Sequence, residues 1–473
     1  MKRWDFMLIG LTARNGRVRF TGPLGEVLGR GLKRHQAAFL VASLFARLKR
    51  GKPLDLVGMS CSIDKDSVFR ARPTGLFGRF AAAGLIRGIE DWVNGKGRPI
   101  ARRDGALVYT SYHPPMPSHA AMKLLANRFA NERYGHPLPT TATLQVTVRC
   151  QANCEHCSAA RHRRAGTNEL TTDQWKFIIR QCEDVGAATI VFTGGEPLLR
   201  QDIFELISSV REDEAVALMF SNGLLLTEEN VRKLKDAGLD AIHVSIDSPN
   251  ADINDALRRI PGCFDKAMAG LRRMKAAGIM TGISTYATPD SLRKGDVHRM
   301  IELAREAGCD ELTISDLVPM GRLLKEDACL LLSDTDKDEL CRIEEEQNAK
   351  NEPPHIITQG HINGTTGVGC FAGWSQLYIT AYGDVTPCDF TPLRFGDCLR
   401  EPLLDIWKRL AGHKAYVNRS RCCRMQDPVF RSKYIDSVPD RGPFPYPIEL
   451  LGVEPRALAE SRERKCSSLG VRG

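Results

Sequence analysis

From Leu144 onward, apolar positions form short runs that alternate with longer stretches in which they recur at every third or fourth residue. The runs predict strands at 144–148, 189–193, 216–221, 241–246, 280–286 and 311–316, and the periodic stretches predict helices at 172–186, 202–212, 228–238, 263–277 and 294–308. Strand and helix in strict alternation form βα units around a parallel sheet. Thr171 or Thr172 is placed to cap the first helix, and Gly186, Gly238, Gly278 and Gly308 stand where four of the five helices should stop. The expected fold class is α/β, a partial (β/α)6 TIM-like barrel, whose chemistry belongs at the C-terminal ends of its strands.

Residues 1–140 lack that alternation. An apolar run, Ala37 to Ala46, is flanked by Lys33, Arg34, Arg47, Lys49 and Arg50 and is too short to cross a bilayer. Two readings stay open for it: an interfacial helix on anionic headgroups, or a core helix with solvated ends. Pro114, Pro115 and Pro117 mark a linker, a helix is expected from His119 to Tyr134, and Pro137 and Pro139 make a second break. The expected organisation is a basic α-rich or α+β N-terminal domain with its linker helix (1–140), the barrel (141–320), a connecting helical segment (321–365), a small cysteine-containing domain (366–430) and a tail (431–473).

Charge sharpens the first boundary. The chain of 473 residues has a net charge of +9, yet residues 1–140 hold 24 Lys+Arg against 9 Asp+Glu, leaving the remainder at −6. A basic N-terminal region favours an anionic or membrane-associated partner, and no nucleic-acid partner is expected. With 42% apolar and 26% charged residues and no signal peptide, the chain reads as globular and cytoplasmic, with peripheral membrane association through the basic region as a further expectation. The fifteen cysteines are then expected to be reduced. Cys182, Cys263, Cys309, Cys329 and Cys341 fall in helical stretches and read as small core residues.

Cys150, Cys154 and Cys157 differ from these, because they form a CX3CX2C run directly after the first strand. Three thiolates on one tight loop can hold three irons of a cubane and leave the fourth open to a ligand and an electron. Structural zinc would ask for a fourth Cys or His close by, and His156, between two of the cysteines, is expected to point away from a shared metal. The second strand ends in Thr193-Gly194-Gly195-Glu196-Pro197, where glycines admit close backbone approach and a carboxylate can accept bonds from an ammonium group. Ser221-Asn222-Gly223 and Ser245-Ile246-Asp247 place small polar groups at the next two strand ends, although taken alone these are ordinary turn residues. Arg258 can pair with a carboxylate. Ser284 and Thr285 stand on the fifth strand, and Asp316, closing the sixth, is the candidate substrate-facing group.

Together these motifs resemble the radical S-adenosylmethionine (SAM) superfamily over Thr143 to Leu317. The resemblance implies that the open iron of a [4Fe-4S] cluster chelates SAM, and that electron transfer splits SAM into methionine and a 5'-deoxyadenosyl radical. It further implies that Gly194, Gly195 and Glu196 bind the methionine end, that Ser221, Asn222, Ser245, Asp247 and Arg258 contact the cofactor, and that flavodoxin or ferredoxin supplies the electron. Farther along, Cys370-X12-Gly383-X4-Cys388, followed by Phe395-Gly396-Asp397 and Leu404-Asp405-Ile406-Trp407, resembles the SPASM/Twitch extension that carries auxiliary clusters. Cys422 and Cys423 stand where the full extension has a CX2CX5CX3C run, which is missing. One auxiliary [4Fe-4S] cluster is therefore expected, ligated by Cys370, Cys388, Cys422 or Cys423, with Cys398 as a further candidate; a zinc knuckle is the alternative. The expected activity is hydrogen abstraction from an anionic, tetrapyrrole-like or lipid-like biosynthetic substrate. Peptide maturation and a non-catalytic iron–sulfur electron carrier are the alternatives.

Overall fold

The computed structural model describes residues 3–14, 17–21, 54–63, 68–74, 90–91, 99–134, 138–164, 166–324, 330–364, 367–439 and 444–451. The apolar-basic stretch at 32–50 and Cys329 lie outside these residues. Among the described residues no helix is long and apolar enough to cross a membrane. The chain divides into two compact units, 1–138 with 212–214, and 139–211 with 215–473.

The first unit contains a four-stranded antiparallel sheet of order β2-β1-β3-β4, formed by β1 (Arg3–Arg14), β2 (Arg17–Thr21), β3 (Leu54–Ile63) and β4 (Phe69–Thr74). A small hairpin, β5 (Ala101–Arg103) with β6 (Ala106–Val108), precedes helix α1 (His119–Tyr134), whose bounds are those expected.

The second unit is built on six parallel strands: β7 (Thr141–Gln145), β8 (Thr189–Thr193), β9 (Val216–Ser221), β10 (Ala241–Ser245), β11 (Met280–Ala287) and β12 (Glu311–Asp316). Each pairs in parallel with the next in sequence order, with helical connections between them. Between them run α2 (Thr172–Val185), α3 (Ile203–Ser208), α4 (Glu228–Asp236), α5 (Ala251–Arg258), α6 (Cys263–Ala276) and α7 (Asp296–Glu306). Helix α2 shows how the pattern becomes structure. Thr171 and Gln174 close a capping box, Trp175, Ile178, Ile179 and Cys182 form the buried stripe, and Gly186 ends the helix at φ 125°.

Four departures from expectation have local causes. Strand β7 ends at Gln145 because the Glu169 carboxylate captures Thr147 Oγ1 (2.9 Å) and Val148 N (2.7 Å), drawing the chain out of the sheet. Helix α3 stops at Ser208, and Glu183 then binds both the backbone and the guanidinium of Arg211 at 2.7 Å. Helix α5 was unforeseen because it is only eight residues long, too short for a clear period; Asn250 caps it through Ile253 N. The segment 321–365 holds a helix, α8 (Asp334–Ala349), and also a strand, β13 (His355–Thr358), parallel to β12.

The sheet also grows at its other edge. Strand β14 (Gln376–Ile379) pairs in parallel with β7, then β15 (Asp384–Thr386) and Gly396–Asp397 follow antiparallel, making ten strands in one sheet. The cysteine-containing domain is thus welded to the barrel edge next to the strand that feeds the CX3CX2C loop.

Candidate active site

The CX3CX2C loop is clamped from three sides. Gly195 N and Glu196 N donate to Thr147 O (2.7 Å) and Arg149 O (2.8 Å) on its incoming limb. The C-terminal end of α5 accepts Asn153 N at Arg258 O (3.4 Å) and Glu155 N at Leu257 O (3.0 Å). Arg322 donates to Asn153 O (2.6 Å) and to the carbonyl of Cys154. All three cysteines then line a cavity of 410 Å3 at the C-terminal ends of the strands.

Burial raises the Cys150 thiol and pushes Cys154 up to about 11, with nearby Arg258 opposing the shift at Cys154. Metal binding at such thiols must displace protons. Asn222 Nδ2 approaches Cys150 Sγ at 3.9 Å.

The glycines and Glu196 serve the loop differently from expectation. A Cβ on Gly194 would lie 2.5 Å from Thr147 O, and one on Gly195 would lie 2.2 Å from Arg149 O and 2.9 Å from Cys150 Cβ. Both glycines line the cavity, but their missing side chains chiefly admit the cysteine-bearing segment. Glu196 is absent from the lining. It is fully buried and accepts from Ser221 Oγ (2.8 Å), Asn222 N (2.8 Å) and Leu198 N (3.2 Å), bracing the end of β8 to the end of β9.

Ser221, Asn222, Ser245, Asp247, Arg258, Ser284 and Thr285 all line the cavity. Arg258 pairs with Asp247, Nη2 to Oδ2 at 2.8 Å, so its carboxylate partner is supplied by the chain itself. His156 turns towards Asp247 and Tyr286. Its Nε2 lies 3.3 Å from Asp247 Oδ2, its ring packs on Tyr286 at 4.6 Å, and both rings line the cavity. Burial lowers the His156 pKa despite Asp247 beside it.

Asp316 also lines this cavity, almost completely buried. Its Oδ2 accepts from Gln426 Nε2 (3.3 Å) and lies 3.9 Å from Lys337 Nζ, while Oδ1 has no hydrogen-bond partner. Burial raises its pKa, opposed by Lys337. Gln426 and Lys337, themselves bonded at 3.2 Å, carried no sequence signal, since they come from a turn and a helix far along the chain.

A second thiol group forms beyond β14. Cys370 N donates to Ser420 O (2.8 Å), and the Cys370 charge acts on both Cys388 and Cys423, whose pKa values burial raises. Cys423 also feels Asp316, so this group lies close to the far side of the cavity wall. Cys422 is disulfide-bonded, an exception to the expected reduced state, and its Sγ lies 3.7 Å from Ser420 Oγ. Cys398 is not brought to this group: its thiol is bonded to Gly383 O (3.1 Å), and the charges acting on it come from Cys182, Asp397 and Asp384.

The Radical SAM superfamily model matches residues 144–304, and the model of the SPASM iron–sulfur cluster-binding domain matches residues 370–427. The chain is a radical SAM enzyme with a SPASM-type extension. Its cofactors are SAM, the [4Fe-4S] cluster that binds it and an auxiliary cluster. This radical SAM enzyme is 29% identical over 290 residues to an AdoMet-dependent heme synthase of Methanosarcina barkeri, covering 57% of this chain and 82% of the relative. It is 31% identical over 223 residues to an Fe-coproporphyrin III synthase of the same organism, covering 46% and 55%. The crystal structure of Streptococcus suis SuiB bound to precursor peptide SuiA aligns with a TM-score of 0.50 at 16% identity, covering 74% of this chain and 84% of that one. That likeness concerns the fold alone.

Proposed function

We propose that this radical SAM enzyme acts on an anionic, tetrapyrrole-like small molecule, with the CX3CX2C loop holding the SAM cluster and the second thiol group holding one auxiliary [4Fe-4S] cluster. The similarity to a heme synthase across four-fifths of that relative's length carries the substrate reading. When bound, SAM and its cluster supply a 5'-deoxyadenosyl radical that takes a hydrogen atom from an unactivated carbon.

The chain's own residues have distinct parts in this reading. Cys150, Cys154 and Cys157 ligate the first cluster, and the clamp around their loop holds it at the mouth of the barrel. Gly194, Gly195, Ser221, Asn222 and Ser245 form the polar rim that receives SAM, while Glu196 positions that rim from behind. The Asp247–Arg258 pair, only 3% and 8% exposed, adds fixed charges next to the loop. Cys370, Cys388 and Cys423 hold the auxiliary cluster. Asp316 stands between the cavity and those thiols, held by Gln426 and Lys337 with one oxygen unbonded, and is the group that faces the reacting part of the substrate. Apolar walls at Leu317, Val318 and Phe390 keep water from the site.

The test is an anaerobic assay of reconstituted protein with SAM, dithionite and iron-coproporphyrin III. The expected result is 5'-deoxyadenosine formed in proportion to a mass change in the tetrapyrrole. A tetrapyrrole recovered unchanged, while a peptide encoded near the gene is consumed, would replace this reading with peptide maturation.

A further inference from the structure

Four basic residues follow one another at 161–164, and the structure engages three of them. Arg161 donates from Nε to Gly321 O (2.8 Å) and lies over the Phe444 ring. His162 is buried with Nδ1 3.2 Å from Gln145 Oε1, and burial lowers its pKa to about 4, leaving it neutral. Arg164 donates from Nη2 to Asp384 Oδ2 (2.6 Å) and to Phe444 O (3.0 Å). With its neighbours fixed on both sides, Arg163 lines the cavity, and it has no hydrogen bond or ion pair among the described residues.

The other charged side chains lining the cavity each have a partner. Arg258 is paired with Asp247, Arg322 is engaged by the carbonyls of Asn153 and Cys154, and Asp316 has Lys337 and Gln426. Arg163, itself exposed, is therefore the charged side chain of the lining that has no hydrogen bond or ion pair among the described residues. The same cavity is also lined by the apolar residues Ala159, Ala160, Leu317, Val318 and Phe390. A ligand complementary to these groups has an apolar body and an anionic edge. Guanidinium geometry suits a carboxylate, which it can bind through two parallel N–H donors.

We infer that Arg163 is a specificity-determining residue that binds a carboxylate of the substrate while the substrate's apolar body rests on Leu317, Val318 and Phe390. This rests on the tetrapyrrole reading above and assigns the residue that recognises the acid.

The test uses the full-length protein with both clusters in place, saturated with SAM and without reductant. Iron-coproporphyrin III and its tetramethyl ester are titrated in parallel and followed by the change in porphyrin absorbance. The wild type is expected to bind the acid roughly ten- to hundredfold more tightly than the ester, the size of one charge-assisted hydrogen-bonded pair. Arg163→Gln should lose that preference and Arg163→Lys should keep part of it, with iron content and SAM affinity at wild-type values in both. Weaker SAM binding by Arg163→Gln would assign the guanidinium to SAM and overturn the inference. Equal binding of the acid by wild type and Arg163→Gln would overturn it while leaving the tetrapyrrole reading intact. A wild type that binds neither acid nor ester sinks that reading, and the assignment with it.

Discussion

The two thiol groups of this enzyme are assembled in opposite ways. Cys150, Cys154 and Cys157 come from a single loop that is partly open to solvent, whereas Cys370, Cys388 and Cys423 come from three separate segments. A local set costs little chain entropy to gather, so its spacing along the chain is enough to identify it. A dispersed set depends on the elements that deliver it: β14 paired to β7, the β14–β15 turn, and the backbone bond from Cys370 to Ser420. The first group is therefore a feature of a motif and the second a feature of the fold.

The largest effect that separates them is expected from Cys154→Ala. SAM cleavage should fall by on the order of a thousandfold or more and iron by roughly half, with the auxiliary cluster's paramagnetic signal retained, because an open-iron cubane needs all three loop ligands. Continued turnover in that variant would contradict the ligand assignment. Gly195→Ala comes next. Its new Cβ would stand 2.2 Å from Arg149 O, so the loop must move, and overpacking of this kind costs about 1–3 kcal/mol. Thermal melts should shift down, and the iron lost should be that of the SAM cluster; an unchanged melt with full iron would show that the clamp is slack.

Within the dispersed group the comparison is between two cysteines. Cys388→Ala should remove roughly half the iron, by the independence of the two clusters, while Cys398→Ala should leave iron unchanged because its thiol is bonded to Gly383 O. Equal iron loss in both variants would return Cys398 to the ligand set.

The last effect concerns His162 and appears only in acid. Its pKa falls from 6.5 to about 4 in the folded protein because burial disfavours the charged ring. The unfolded chain takes up a proton below about pH 6.5 and the folded one does not, so stability declines as pH falls from 6.5 towards 4, by up to about 3 kcal/mol. His162→Gln should flatten that part of the stability profile in chemical denaturation. A slope identical to wild type would place the acid sensitivity elsewhere.

Much of this architecture was readable along the chain. Apolar periodicity located six strands and five helices, and glycines at positive φ (Gly238, Gly278 and Gly308, at 84°, 78° and 72°) ended helices where expected. What escaped reading was direction and partnership. His156 was visible inside the motif, but its partners Asp247 and Tyr286, supplied by the β10 and β11 strand ends, were not. Glu196 stood out as a ligand contact, but its bonds to Ser221 and Asn222 on the next strand end did not. Strand β13 is four residues long and preceded by a polar helix, too short to show a period of its own.

The sequence by itself determined the βα alternation, the helix stops and the three-cysteine loop, since each depends on residues close together in the chain. Tertiary structure alone decided that Glu196 braces Ser221 and Asn222, that Asp316 is held by Gln426 beside Lys337, that the Cys398 thiol is bonded to Gly383 O, and that Arg163 is the unpaired member of a run of four basic residues. A side chain's role is set by which partners satisfy it, and those partners arrive from distant segments only when the sheet has formed.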